Sequence, residues 1–261
     1  MHDPSQPTWG IVGGLGPLAS AEFVRTIYES CAREREQDHP RIMLLSDPEF
    51  PDRTASLARG DIAPLVDRLE RNLEALIAFG ATRVVVCCMT IHAVFPALPQ
   101  ALRARVLSLV DLVIDRLASV REQHLMLCTS GCRAAGVLQA HPGWPAVRDR
   151  IVWPDAADQE RVHAMIYTLK RGGGAREQTA HVRGWIDKYG VRAYVAGCTE
   201  LHLLTRSLAE PPIWPHGNIC VDPLMLAASE VAGSFAPRPA AAPHGAAPDV
   251  EPGASETGWS R

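Results

Sequence analysis

The sequence lacks the features that mark several large protein classes. No apolar run approaches the roughly 20 residues that a membrane-spanning helix needs, so no membrane association is expected. There is no excess of positive charge: 26 Lys and Arg stand against 29 Asp and Glu, a formal net charge of −3. That removes the electrostatic case for nucleic acid or an anionic lipid surface. The opening MHDPSQPTWG has neither the basic nor the apolar region of a secretory leader. Seven cysteines, an odd number without dense regular spacing, argue against a disulfide framework and for a cytoplasmic location. Cys128 and Cys132 have an x3 spacing that suits zinc, but no second Cys/His pair accompanies them, so burial is favoured and no metal is expected.

What remains is an ordinary globular composition, 47% hydrophobic and 21% charged over 261 residues. That length suits one large domain or two of roughly 100–130 residues. Strand-like apolar runs alternate with helical patterns, which predicts an α/β fold with mainly parallel sheets. Trp9–Gly13 reads as a first buried strand, and Pro17 opens a helix with Phe23, Ile27 and Cys31 on one face. Further strands are expected at 42–45 and 83–87, with an amphipathic helix from Ile62 to Phe79 between them. The pattern restarts in the second half. Strand 124–128 is expected to lead through a loop with Gly131 into a helix at 134–139. Strands at 150–153 and 193–196 and a last helix at 224–231 follow. From Phe235 onward prolines interleave with Ala and Gly and no apolar period survives. Residues 235–261 are therefore expected to form a disordered tail, with a docking peptide anchored by Trp259 as the alternative.

Two stretches carry the chemistry. Cys88–Met89–Thr90–Ile91–His92 follows the apolar run Val84–Val86, and Gly197–Cys198–Thr199–Glu200–Leu201 follows Ala193–Ala196. The same strand–Cys–Thr–helix unit thus occurs once in each half. A thiol there lies at the carboxyl edge of a sheet, where open α/β folds bind ligands, and a helix N-terminus is expected to favour its thiolate. Two such thiols suit a reaction in which one group removes a proton and another returns it from the opposite side. Cys87 alternates to the other side of its strand and is expected in the core.

Gly14, Gly16 and Ala19 partly fit the dinucleotide fingerprint, but the acidic residue, Asp47, comes about 30 residues on instead of the usual 20 or so. Pro17 also removes a backbone N–H donor. The turn suits close approach to a small anionic ligand, or is a plain tight connection. Pro51–Asp52–Arg53–Thr54 places an arginine able to pair with a carboxylate on a Pro-rich loop. Lys170 ends a helix before Gly172–Gly173–Gly174, which by spacing alone reads as a solvated, dipole-matched cation.

Taken in order, GIVGGLGPLAS, PDRT, C-x-T-x-H, IYTLKRG, AGCTEL and VDP resemble the aspartate/glutamate racemase superfamily, most closely its aspartate racemase branch, over about residues 9–232. The resemblance implies two similar α/β domains facing each other across a cleft, the last helix returning to the first. The expected division is 1–110 plus 216–234 for the first domain and 111–215 for the second. It implies a racemase without pyridoxal phosphate, metal or nucleotide, inverting the Cα of aspartate, glutamate or an analogue. Cys88 and Cys198 would flank that carbon as acid and base. Thr90 and Thr199 would help hold the α-carboxylate, and Arg53 and Lys170 the distal one. This replaces the solvated reading of Lys170. Gly14 and Gly16 fall in the ligand turn, while Asp52, His92 and Glu200 match orienting positions. Met89 stands where the family usually has a substrate-site asparagine, and Cys132–Arg133 follow Ser130–Gly131 where Gly–Thr is common. These departures leave room for a cysteine-dependent isomerase or decarboxylase of another small dicarboxylic acid, or a non-catalytic carboxylate-binding relative. The expected partners are a small amino-acid or dicarboxylate substrate and a second copy of the chain in a homodimer.

Overall fold

The computed structural model describes residues 6–31, 33–208 and 220–235. In the first half, β1 (Trp9–Gly13), α1 (Pro17–Ser30), β2 (Ile42–Ser46), α2 (Arg53–Arg59), α3 (Ala63–Ala78) and β3 (Arg83–Val86) lead to a 3-10 helix, Thr90–Ala97. The short α4 (Gln100–Arg103), β4 (Val106–Leu107) and α5 (Leu109–Ala118) follow. The second half runs β5 (His124–Leu127), α6 (Ser130–Ala134), α7 (Trp144–Val147), β6 (Ile151–Val152), α8 (Ala156–Lys170) and α9 (Ala175–Tyr189). It ends with β7 (Ala193–Ala196), α10 (Leu201–Leu208), β8 (Cys220–Val221) and α11 (Pro223–Gly233).

The strands form two four-stranded parallel sheets with the same topology, β2-β1-β3-β4 and β6-β5-β7-β8. In each, the chain reverses its direction of travel between the first and third strands of the repeat. The crevice at such a switch point, beyond the carboxyl ends of the strands, is where open α/β sheets bind ligands. Both cysteine motifs leave from strands that border one.

Strand alternation divides the apolar residues into three cores. Trp9, Ile11, Val85, Cys87, Met126, Cys128 and Val195 face a shared core that α1, α5 and α11 complete with Phe23, Ile27, Leu109, Val113, Leu224 and Val231. Val12, Val84, Val86 and Cys88 face the opposite way, against Leu65, Leu69, Leu73 and Leu76 of α3. Leu125, Leu127, Tyr194, Ala196 and Cys198 do the same in the second sheet, against α8, α9 and α10. The helices start where local chemistry provides acceptors for their free N–H groups: Asp52 accepts from Ala55 N, Ser108 from Asp111 N, and Asp155 from Asp158 N.

Four expectations need correcting. The helix expected at 134–139 is α6, earlier and shorter, because Thr129 caps it by accepting from Cys132 N and Gly136 takes a left-handed turn beyond it. Gly131 is therefore helical. The strand expected at 150–153 shrinks to Ile151–Val152. Residues 220–221, expected in the first domain, pair with β7 in the second sheet, and the chain returns to the first half with α11, which packs on α1 and α5. Phe235, taken as the start of the tail, is buried in the shared core, and the neighbouring Ser234 Oγ accepts from Trp9 Nε1 at 3.0 Å. The tail expected beyond it lies outside the described residues.

Candidate active site

The βα turns of the two halves converge. Gly16, at the start of α1, lies so close to Glu200 that a Cβ there would sit 2.3 Å from Oε1. Gly131 meets Thr54 in the same way, 2.4 Å from its Oγ1, so α6 and α2 touch across the halves. Thr199 donates its hydroxyl to the Cys87 carbonyl at 3.1 Å, and Tyr167 donates to Asp52 Oδ2 at 2.9 Å. Gly14 serves its own half. With φ at +85° and Asp47 backbone 2.2 Å from any Cβ, only glycine fits there.

Cys88 and Cys198 are both buried, at 6% and 5% exposure, on corresponding sides of their sheets. Cys198 donates its thiol to Glu200 Oε2 at 2.8 Å. Burial pushes the Cys198 thiol well up, Glu200 adds to this, and Lys170 opposes it. The helix-terminus stabilisation of a thiolate expected from the sequence is therefore outweighed at Cys198. Arg53 interacts electrostatically with Cys88 and is buried, at 9% exposure. Burial disfavours its charge, but Cys88, Glu200 and Asp52 outweigh that and hold it protonated. Its guanidinium also donates to the carbonyls of Leu15 at 2.6 Å, Pro51 at 3.1 Å and Phe50 at 3.5 Å. It therefore ties the glycine turn to the loop before α2 as well as charging the site. Lys170 lies 3.9 Å from Glu200 Oε1 and 4.5 Å over the Tyr167 ring. Burial lowers its pKa, but Cys198 and Glu200 raise it more, against Arg53.

His92 receives Leu109 N–H on Nε2 at 3.1 Å, so its proton is on Nδ1, donated to the Cys88 carbonyl at 2.9 Å. Burial pushes it down to about 4, against the Cys88 carbonyl, and it stays neutral at physiological pH. It fixes the backbone under Cys88 and stacks on Phe95. Asp52 caps α2, and bonds from Ala55 N–H and Tyr167 outweigh burial to keep it ionised. Thr90 faces Thr129 at 3.5 Å.

Met89 does not join this cluster. It is buried in the shared core with Cys87 and Val85, so the expectation that it lines the substrate site is corrected. The turn after β3 rolls it to the inner side, where a thioether packs and an amide would need partners. Asp47 is bound to Arg68 and Asn72, which leaves no free carboxylate for a nucleotide ribose. Cys128 and Cys132 are buried together in the core. Among the described residues no group of three or more His, Cys, Asp and Glu could hold a metal ion.

Two groups were missed from sequence. Tyr167 precedes Lys170 by three residues, on the same face of α8, a spacing that could have paired them. His202 bonds Asp222 Oδ2 and Thr26 Oγ1, each at 2.8 Å, and is fully buried between the halves. Its signal was its position four residues after Cys198, matching His92 after Cys88.

With this geometry established, known proteins provide the frame. Residues 12–231 match the family model of Asp/Glu/Hydantoin racemases. The chain belongs to this racemase family. An aspartate racemase from Picrophilus torridus aligns over 87% of this chain and 94% of its own, at 24% identity and a TM-score of 0.70. A glutamate racemase from Francisella tularensis, in complex with D-glutamate, aligns over 88% and 81% at 16% identity and a TM-score of 0.54. At these identities the likeness is one of fold, two α/β units facing each other. No helix among the described residues is long and apolar enough to cross a membrane.

Proposed function

We propose that the chain is a cofactor-independent racemase that inverts the Cα of an acidic amino acid, aspartate, glutamate or a near analogue. The observation that carries this is the pair Cys88 and Cys198, delivered by corresponding turns of two repeated sheets into one cluster with Arg53 and Lys170. One sulfur as thiolate takes the α-proton, and the other as thiol donates to the opposite face. Arg53 and Lys170 hold the distal carboxylate and stabilise the charge that builds up on the carbanion, while Thr90 and Thr199 face the α-carboxylate. The relatives that bind or act on aspartate and glutamate support this substrate class.

The test is Cα–H exchange in deuterated water with a panel of L- and D-amino acids. The unaltered chain should exchange and invert acidic amino acids. Cys88→Ser and Cys198→Ser should each nearly abolish inversion, and the double variant should be scarcely worse. Release of CO2 from a diacid without exchange would point to a decarboxylase. Ligand-induced thermal stabilisation without turnover would point to a binding protein. Substantial racemisation by either single variant would sink the two-base mechanism.

A further inference from the structure

Cys88 and Cys198 are matched in burial, 6% and 5% exposed, but not in company. Cys198 interacts electrostatically with Glu200, Lys170 and Cys88, and Cys88 with Arg53, Lys170 and Cys198. Glu200 Oε2 accepts from the Cys198 thiol at 2.8 Å. A carboxylate can accept from sulfur only while sulfur is protonated, and a thiolate at that distance would put two anions in contact. Glu200 is itself buried, 2% exposed, and its Oε1 has no hydrogen-bond partner; the Lys170 ammonium stops 3.9 Å away and Gly16 closes the other side. Glu200 is ion-paired with the Lys170 ammonium and also interacts electrostatically with Arg53. The Arg53 guanidinium that interacts with Cys88 is, by contrast, a permanent cation and a donor only.

We propose that Glu200 is a positioning residue that stores the resting proton on Cys198, so that the free protein presents Cys88 as the base and Cys198 as the acid. The proposal rests on the two-cysteine function above and adds a direction to it. In the favoured direction the Cα–H bond breaks as S–H forms on Cys88. The S–H bond of Cys198 breaks as the new Cα–H bond forms on the other face. This leaves a Cys198 thiolate against Glu200, the less stable free form, which returns to rest when the proton on Cys88 is exchanged back to Cys198.

The protonation states can be read on the full chain without substrate. Iodoacetamide near neutral pH attacks thiolates, and the modified peptides are quantified by mass spectrometry. Because the two thiols are equally covered, Cys88 should be alkylated at least about tenfold faster than Cys198. Glu200→Gln keeps the shape beside Gly16 and removes the charge, so it should speed Cys198 alkylation about tenfold or more and leave Cys88 little changed. Equal or faster labelling of Cys198 in the unaltered chain, or no response to Glu200→Gln, overturns the proposal. If that variant does not fold, Lys170→Met carries the test. Removing the cation that offsets Glu200 should slow Cys198 labelling further, and an unchanged or faster rate overturns the proposal. Racemisation by the cysteine variants is measured separately, so loss of the two-cysteine function and loss of this proton assignment are told apart.

Discussion

Arg53 carries two duties that substitution can separate. Its guanidinium makes two well-formed bonds to the carbonyls of Leu15 and Pro51, at 2.6 and 3.1 Å, and a third to Phe50 at the 3.5 Å limit. The fork spans two segments, and lysine, a point donor, can satisfy only one. Each charge-assisted bond is worth about 1.5–3 kcal/mol when its loss leaves a buried carbonyl unpaired. Arg53→Lys should therefore cost about 1.5–3 kcal/mol and Arg53→Leu about 3–6 kcal/mol, read by denaturant titration monitored by circular dichroism. For a chain of this size the lysine variant should melt roughly 3–12 °C lower. The second duty shows in kinetics. Arg53→Leu should lose about 2–5 kcal/mol of transition-state binding, roughly 30- to several-thousand-fold in kcat/KM for acidic substrates. Alanine, with no distal carboxylate, should lose little more than it already lacks. A lysine variant as stable as the parent would refute the strut. Equal weakening of acidic and neutral amino acids would refute the distal-carboxylate role.

Three further outcomes follow from the buried contacts. Gly16→Ala places a methyl 2.3 Å from Glu200 Oε1, so Glu200 must leave Cys198 or α1 must shift; kcat/KM should fall about a hundredfold, and near-parental turnover would show that the contact is not needed. Asp222 is buried against His202; burial alone would raise its carboxyl, but the His202 interaction and the N–H groups of α11 hold it low. Its contribution to stability is therefore fully present above its unfolded value of about 3.9 and is lost as pH falls through the lower folded value. Asp222→Asn should cost about 3–5 kcal/mol at neutral pH and flatten the acid limb of the stability curve; an unchanged acid limb would refute the pairing. Ending the chain after Gly233 removes Phe235 from the core and the Trp9 acceptor Ser234. Against a chain ended after Phe235 it should be about 3–5 kcal/mol less stable, and equal denaturation midpoints would remove Phe235 from the core account.

The sequence by itself determined what depends on neighbours along the chain. Period-two and helical periodicity located the strands and most helices, and alternation put Cys87 in the core, with its neighbour Cys88 on the opposite face. The repeated Cys–Thr motif marked both turns because each is local: a strand, a thiol at its end, then a helix. Alternation stops where the strand stops, so the inward roll of Met89 was not legible. Nor was the early cap by Thr129 that moved α6, since a Thr serves a turn or a helix start equally well. Only the tertiary structure decided which groups meet across the halves: Gly16 against Glu200, Thr199 on the Cys87 carbonyl, Tyr167 on Asp52, His202 between Asp222 and Thr26. Most of these partners lie over 100 residues apart, Thr199 and Cys87 by 112 and His202 and Thr26 by 176. No pattern along the chain encodes them. They arise because two sheets of the same topology share one core, which aims equivalent turns at each other.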